Sequence, residues 1–304
     1  MKKVIITGGA GFIGSHLAQH LAQKYRVTVL DDLSTGSLSN LEGVDCKFVP
    51  GSILDVPLLD DLLHGAEFVF HLAAMVSVAE SMTNSRECVN QNVTGLLNVL
   101  DACVQHQVKK IVFASSAAVY GNSPQSPKRE SNLPAPESPY AITKLDGEFY
   151  LEMYRKVHGL ESAAPRFFNV YGPRQNPDGA YAAAVPIFVS QALGGEKITV
   201  FGDGDQTRDF ISVLDIVSGI EKAAEIPTII GPFNLACGEA TSLNELLSVI
   251  FELTGSSSEV VYEAPRPGDI RHSLADISRA INLGINPQNR LRETLREMIT
   301  SSTH

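Results

Sequence analysis

Near its start the chain reads Val4-Ile5-Ile6-Thr7-Gly8-Gly9-Ala10-Gly11-Phe12-Ile13-Gly14-Ser15-His16-Leu17. The β-favouring residues that open this stretch predict a strand buried on both faces, and the apolar spacing that closes it predicts a helix. The glycines between them allow a sharp turn and a close approach of the backbone to a ligand. Since free N–H groups at a helix start bind phosphate, the stretch predicts a pyrophosphate site at Gly8, Gly11 and Gly14.

An acidic residue follows the next predicted strand. The apolar run at 26–30 ends on Asp31, and an acid about 20 residues beyond the glycines is typical of dinucleotide-binding units. Its carboxylate can accept hydrogen bonds from both hydroxyls of an adenosine ribose, and it repels a 2′-phosphate. The series therefore predicts NAD rather than NADP as the cofactor. The alternative is a glycine-rich turn without a ligand and an aspartate that caps a strand end.

Composition limits the possible partners. The chain has 304 residues, of which 44% are hydrophobic, and this is enough for one large or two smaller domains. A net charge of −10 without a basic run argues against nucleic acid or an anionic membrane as the main partner. The four cysteines lie far apart without a Cys-x-x-Cys pair, which predicts a reducing compartment and neither disulfides nor a metal site. The sequence predicts a soluble, cytoplasmic protein.

Strand and helix patterns alternate through the first half, which is typical of a parallel sheet covered by helices. The patterns predict further strands at 46–49, 68–70, 110–114 and 163–168, and helices at 55–63, at 84–106 and from Pro139, with Ser138 as the N-cap. Pro165 cannot donate to a ladder, so we expect a bulge there or a strand that starts at Arg166. The alternation fades after Gly172, which predicts one domain at 1–169 and a second at 170–304, with helices at 242–253 and 288–298.

Three polar side chains suggest chemistry at this sheet. Ser116 follows the end of a predicted strand, and Tyr140 begins a helix that carries Lys144 on the same face. A phenol has a pKa of about 10, which a nearby ammonium and a positively charged nicotinamide ring would lower towards a useful base. Ser116 could hydrogen-bond the same substrate oxygen. Taken alone, a Tyr-x-x-x-Lys pair is common by chance on exposed helices.

Together these features resemble the extended short-chain dehydrogenases/reductases, and most closely the nucleotide-sugar 4-epimerases of the UDP-glucose 4-epimerase type. The resemblance covers nearly the whole chain. It implies a Rossmann-type doubly wound parallel sheet and a smaller mixed α/β C-terminal domain for the nucleotide sugar, some segments of which return to the first domain. It rests on the motifs Thr7–Gly14, Asp31, His71–Ala74, Asn92 in Asn-Val-Thr-Gly, Ser115–Gly121, Tyr140 with Lys144, Arg166–Asn169, Arg208–Phe210 and Arg266–Asp269.

The resemblance implies a tightly held NAD. One departure from the pattern is Ser52, since many relatives have an aspartate at the position that contacts adenine, and His71 is expected to pack at a strand end. The implied cofactor contacts are Gly8, Gly11, Phe12, Ile13, Gly14, Asp31, Asp32, Ser52, Ile53, Leu72, Ala73, Ala74, Asn92, Ser115, Tyr140 and Lys144.

The resemblance also implies a site for a nucleotide sugar. Its diphosphate would meet two arginines, which suit two phosphates through charge-assisted hydrogen bonds. Ser273 stands where some relatives have a bulky tyrosine beside carbon 2 of the sugar, so N-acetylhexosamines are expected to be accepted. The implied contacts are Ser77, Ser116, Asn169, Arg208 and Arg266 for sugar and diphosphate, Val200 and Phe201 for the base, Asp269 for the ribose and Ser273 beside carbon 2.

The implied reaction is NAD-dependent inversion at carbon 4 of a UDP-hexose through a 4-keto intermediate. Ala117 and Ala118 replace the acids that the 4,6-dehydratases carry, and Asn169 favours neutral sugars over uronic acids. The alternatives are another enzyme of this family acting on a nucleotide sugar, whether a dehydratase, a reductase or a uronic-acid epimerase, and a non-catalytic dinucleotide sensor. The choice between UDP and dTDP stays open. The helices at 84–106 and from Tyr140 are expected to pair in a homodimer as a four-helix bundle.

Overall fold

The computed structural model describes residues 1–178, 183–265 and 270–302. The strands are β1 (Lys3–Thr7), β2 (Arg26–Asp31), β3 (Cys46–Pro50), β4 (Ala66–His71), β5 (Lys110–Phe113), β6 (Ser115–Ser116), β7 (Glu161–Phe167), β8 (Asn169–Tyr171), β9 (Ile198–Phe201), β10 (Thr207–Arg208), β11 (Phe210–Ser212), β12 (Gly231–Leu235), β13 (Thr241–Ser242) and β14 (Val260–Glu263). The helices are α1 (Phe12–Leu21), α2 (Val56–Leu63), α3 (Val78–Thr83), α4 (Ser85–Val89), α5 (Gly95–Gln105), α6 (Pro139–His158), α7 (Ala184–Gly194), α8 (Val213–Glu225), α9 (Leu243–Thr254), α10 (Ser278–Asn282) and α11 (Leu291–Ser302).

A parallel sheet forms the centre of the molecule. Its strand order is β12-β7-β5-β4-β1-β2-β3, and β6 also pairs with β7. Neighbouring side chains along β1 pack on opposite faces: Val4 and Ile6 join a core with α1 and α8, whereas Ile5 joins a core with α2 and α5. Burial on both faces explains the continuous apolar run, and the predicted doubly wound α/β fold is confirmed.

Pro165 lies inside β7, contrary to both expectations for this position. Val112 pairs with Ala163 and Ser115 pairs with Arg166 in the same register, so there is no bulge, and the strand begins at Glu161. On the other side Pro165 is opposite Phe233 of β12. The proline is tolerated because neither β5 nor β6 pairs with β7 at this residue. No hydrogen bond of the sheet is therefore lost when the backbone N–H is missing.

The helix predicted at 84–106 is divided. α4 is followed by a more widely wound turn at Asn90–Thr94 and then by α5. The backbone at Val89 and Thr94 keeps right-handed helical angles, so the three pieces follow one another without a loop. Wide turns of this type recur at functional sites.

The residues after 170 contribute to two parts of the fold. β12 extends the main sheet, and α8 packs against α1. A smaller core is formed by α7, α9 and α11 together with the parallel pair β9 and β14. In α9 Ser242 and Glu245 form the predicted capping box. The last helix begins at Leu291 rather than at residue 288.

Within the three described ranges, no helix has both the length and the apolar character needed to cross a membrane.

Candidate active site

The glycine-rich turn joins β1 to α1 as a tightly packed unit. Gly8 has a φ of +71°, and its N–H donates to Leu30 O at 2.8 Å. A Cβ on Gly14 would lie 2.1 Å from the Gly8 carbonyl oxygen, so only glycine allows α1 to start this close to the turn. The N-cap Gly11 offers no side-chain cap, and the N–H groups at the helix start therefore remain available for a phosphate.

Asp31 holds the turn to the end of β2. Its Oδ2 accepts a hydrogen bond from Ala10 N at 2.9 Å, and its Oδ1 accepts one from Leu33 N at 2.8 Å. The side chain is nearly buried but lines the adjoining cavity. A carboxylate has about four acceptor positions, so Asp31 can bind a ribose in addition to the two amides.

A cavity of about 1660 Å³ opens at the carboxyl ends of the sheet strands. Pockets for a single small ligand usually measure about 300–1,000 Å³, so this one has room for two ligands side by side. Most of the predicted site residues line it: Gly8, Gly11, Phe12, Ile13, Gly14, Asp31, Asp32, Ser52, Ile53, Leu72, Ala73, Ala74, Ser77, Ser115, Ser116, Tyr140, Lys144, Asn169, Phe201 and Arg208.

Ser116, Tyr140 and Lys144 meet in this cavity. Ser116 is the last residue of β6, and its Oγ accepts a hydrogen bond from Ala118 N at 3.1 Å. Ser138 caps α6 as predicted by accepting from Ala141 N at 3.2 Å, which sets the helix start that presents Tyr140. The ammonium of Lys144 lies 5.7 Å from the centroid of the Tyr140 ring.

Burial dominates the ionisation of this pair in the protein alone. It raises the pKa of Tyr140, and a hydrogen bond with Ser116 opposes that effect only in part. Burial also lowers the pKa of Lys144 to about 8. The prediction that the ammonium and the nicotinamide ring together lower the Tyr140 pKa applies to the protein with its cofactor and stays a prediction.

The side of the cavity that is predicted to bind the substrate is built from residues after β7. Asn169 begins β8, and its Nδ2 donates to Asp209 O at 3.1 Å, beside Arg208 of β10. The two short strands β8 and β11 pair in parallel, with Asn169 opposite Phe210. This pairing brings an amide and a guanidinium to one wall. The predicted contacts Arg266 and Asp269 lie outside the described residues.

Three predicted contacts lie elsewhere. Val200 is fully buried in the smaller core, because side chains alternate along β9 and only its neighbours Thr199 and Phe201 face the cavity. Asn92 is 3% exposed and stands behind the described cavity wall. The half-buried Ser273 is also outside the described lining, and its N–H donates to Thr207 O.

Asn92 holds a loop of the cavity wall in place. Its Oδ1 accepts from Met75 N at 2.8 Å, and its Nδ2 donates to Met75 O and to Thr143 Oγ1, each at 3.0 Å. All of its amide groups are thus used within the protein. The wide turn at Asn90–Thr94 places this side chain between the loop and α6.

His71 packs at the end of β4, as expected. Its Nδ1 lies 2.8 Å from Thr7 Oγ1, and its ring stacks on Phe113 with centroids 5.9 Å apart. Burial lowers its pKa to about 3, so the imidazole stays neutral.

Several lining residues were missed by sequence reasoning. About half of them come from irregular segments, where no strand end marks a site, and the others lie in helices and strands, above all in α7. Arg174 has a φ of 65° in a non-glycine residue, and such strain gathers at functional sites, but this signal is visible only in the structure. The missed residues include Met75, Arg174, Gln175, Gln191, Gln206 and Phe210.

Known proteins share this architecture over their full length. A UDP-glucose 4-epimerase of Mycolicibacterium smegmatis is 38% identical, and the match covers 98% of this chain and 97% of that protein. The solved UDP-N-acetylglucosamine 4-epimerase of Methanobrevibacter ruminantium, in complex with UDP-N-acetylmuramic acid, superposes with a TM-score of 0.96 at 38% identity, covering 99% of this chain and 98% of that one.

A second solved structure agrees with the first. The UDP-glucose 4-epimerase of Thermotoga maritima with UDP-glucose has a TM-score of 0.94 at 38% identity, and it covers 99% of this chain and 98% of that one. Residues 4–236 match the NAD dependent epimerase/dehydratase family. This range contains the glycine turn, Asp31, Ser116, Tyr140 and Lys144. The chain therefore belongs to the NAD dependent epimerase/dehydratase family.

Proposed function

We propose that this protein is an isomerase that inverts carbon 4 of a UDP-hexose, interconverting UDP-galactose and UDP-glucose with NAD. The observation that carries the proposal is the shared cavity. Tyr140 and Lys144 lie in one space with the glycine turn and with Arg208, so a dinucleotide and a nucleotide sugar can meet at the phenol. The relatives named above support the nucleotide sugar.

The reaction needs a hydride to leave carbon 4 and a proton to leave the 4-hydroxyl oxygen, and both then return. NAD, when bound, supplies the acceptor and later the donor of the hydride, and its positive ring favours the phenolate. Tyr140 takes the proton of the 4-hydroxyl and gives it back, while Ser116 hydrogen-bonds the same oxygen. The buried Lys144 orients the cofactor ribose, and the sugar ring turns over between the two transfers.

The residues after Ser116 favour inversion over elimination. Ala117 and Ala118 begin the helical turn at Ala117–Tyr120, and neither can donate or accept a proton. A 4,6-dehydratase needs an acid and a base to remove water across carbons 5 and 6, and the resemblance places them at these positions. No acid is therefore present at these two positions to start the elimination of water from the 4-keto sugar.

Product identification tests the proposal. We expect the purified protein to convert UDP-galactose to UDP-glucose, and proton NMR can monitor this conversion. No NADH needs to be added, because the hydride is returned in each cycle. A panel with dTDP-glucose, UDP-glucuronic acid and UDP-xylose separates the sugar and base preferences. A 4-keto-6-deoxy product, or turnover that requires NADH, would contradict inversion.

We further propose that N-acetylhexosamines are substrates. Ser273 is small and lies outside the described cavity lining, so its side chain takes no space from the sugar, and the structurally similar protein of Methanobrevibacter ruminantium is named for UDP-N-acetylglucosamine. We expect Ser273→Tyr to lower kcat/KM for UDP-N-acetylglucosamine by at least about tenfold through a steric clash and to leave UDP-glucose nearly unchanged. Ser273→Ala is the control. An equal fall in kcat/KM for both sugars would show that Ser273 does not line the sugar pocket.

The homodimer is a further proposal, supported by an exposed apolar stripe on α6. Ile142, Phe149, Met153 and Val157 are 41–66% exposed and recur on one side of the helix, which packs beside α4. An exposed apolar stripe of this kind, interrupted here only by Asp146 between Ile142 and Phe149, is typical of an interface. A four-helix bundle formed with a second copy would cover it.

Charge placed in the stripe should separate the subunits. For Phe149→Glu we expect light scattering to give the mass of one chain, 32.7 kDa, where the unaltered protein gives twice that mass. Leu133→Glu is the matched control, because Leu133 is 87% exposed on a loop outside α6. A dimer that survives the Phe149 change would place the interface elsewhere.

A further inference from the structure

A third side chain shares the face of α6 that carries Tyr140 and Lys144. Glu148 lies one turn beyond Lys144, and its side chain is only 6% exposed. The carboxylate does not face the cavity in the described structure. Its position in line with both functional residues raises the question of what holds it there.

Glu148 binds two strands at once. Its Oε1 accepts from Ser115 Oγ at 2.6 Å and from Arg166 Nε at 2.8 Å, and its Oε2 accepts from Arg166 Nη2 at 2.7 Å. The arginine contact is the bidentate form, which fixes direction as well as distance. One carboxylate thus fastens α6 to β6 and to β7.

The partners of Glu148 adjoin the functional residues. Ser115 directly precedes Ser116 in β6, and it pairs with Arg166 in the ladder to β7. Along the chain Arg166 is followed by Phe167, which lines the cavity. Tyr140 is on α6 and Ser116 is on β6, and Glu148 connects these two elements. The distance between them decides whether the Tyr140 and Ser116 hydroxyl oxygens can reach the same substrate atom.

Arg166 also forms contacts on the side away from Glu148. Its Nη1 donates to Tyr120 Oη at 2.8 Å, and that hydroxyl donates to Asn234 Oδ1 at 2.6 Å. The guanidinium also lies over the Tyr120 ring, 4.8 Å from its centroid. Every group that Glu148 binds is therefore fixed in a buried network, so the carboxylate has little freedom to move.

We propose that Glu148 is a positioning residue that sets the distance between Tyr140 Oη and Ser116 Oγ by holding α6 against β6. This inference rests on the proposed function for its kinetic consequence. The Ser115 hydroxyl connects the ion pair to the residue beside Ser116.

Three variants test the inference. Glu148→Gln keeps the size of the side chain but removes the charge that orders Arg166, and Ser115→Ala keeps the ion pair but removes the hydroxyl bond. Glu152→Gln is the matched control, because Glu152 lies one turn further on α6, is 41% exposed and pairs with Arg155 and Lys156. Each variant is compared with the unaltered protein for kcat, KM, bound NAD and thermal unfolding.

We expect kcat to fall about 100-fold in Glu148→Gln, since a shift of about 1 Å at a reacting group has that effect. For Ser115→Ala we expect a fall of about tenfold, the loss of one hydrogen bond. In Glu148→Gln, KM and the NAD content stay unchanged, and Glu152→Gln behaves as the unaltered protein. Because Ser115 itself lines the cavity and is an implied cofactor contact, kcat of Ser115→Ala is compared at saturating NAD. If Glu148→Gln fails to fold, Ser115→Ala decides, because it leaves the ion pair intact.

Crystal structures provide a readout that does not depend on turnover. We expect the separation of Tyr140 Oη and Ser116 Oγ to increase in Ser115→Ala relative to the unaltered protein. Folded variants with normal kcat and an unchanged separation would overturn the inference, as would parallel losses of kcat, NAD and stability. If the unaltered protein turns over no nucleotide sugar, the proposed function fails, and the measured separation still tests the positioning role.

Discussion

Replacing Tyr140 with phenylalanine is expected to reduce epimerisation by about 10³-fold or more, because the change removes the group that is proposed to take the 4-hydroxyl proton. The ring stays and fills the same buried space near Lys144. NAD should remain bound, since the glycine turn and Asp31 are untouched. Turnover is followed by NMR on UDP-galactose, and NAD is released by acid and measured by chromatography.

Tyr150→Phe is the matched control for this experiment. Tyr150 is on the same helix but packs against the core under the sheet, away from the described cavity lining. It should keep full activity. Normal turnover in Tyr140→Phe would refute the assignment of the base, whereas loss of both NAD and activity would give Tyr140 a role in holding the cofactor.

Gly14→Ala should abolish the retention of NAD. The added Cβ would lie 2.1 Å from Gly8 O and 2.6 Å from Gly9 Cα, and these are backbone atoms that cannot turn aside. The start of α1 must move, so its free N–H groups no longer meet the pyrophosphate. We expect the purified variant to contain no NAD and its free energy of unfolding to fall by at least about 1–3 kcal/mol.

Gly194→Ala provides the comparison. Gly194 ends α7, and the nearest atoms to a Cβ there belong to the flexible side chain of Glu196, at 3.3 Å or more. That variant should keep its cofactor and its stability. A Gly14→Ala protein that retains NAD at full occupancy would show that the helix start does not hold the phosphates.

The dinucleotide half could be predicted because its signals are local. The strand, turn and helix at 4–21 are specified by neighbouring residues, and so is the start of α6 at Ser138 and Pro139. Those elements then place Ser116 and Tyr140 at the same edge of the sheet. Local patterns were enough to bring them together.

Other features depend on contacts between distant parts of the chain. Asn92 forms hydrogen bonds with Met75 and Thr143, which are far from it in sequence. Pro165 fits into β7 because neither β5 nor β6 pairs with the strand at that residue. The direction of the Tyr140 pKa follows from burial by the whole fold. Val200 is different, since the alternation of β9 could have indicated that it points into the core.

Because β12 follows residue 170 but pairs with β7 of the main sheet, the first half of the chain is incomplete when it is expressed alone. A fragment that ended at residue 169 would leave one long side of β7 unpaired, with its amides and carbonyls free to capture another copy. Such a fragment should precipitate on expression instead of serving as a minimal nucleotide binder. Recombination between homologous genes at that point would face the same barrier, so both halves are expected to be exchanged together.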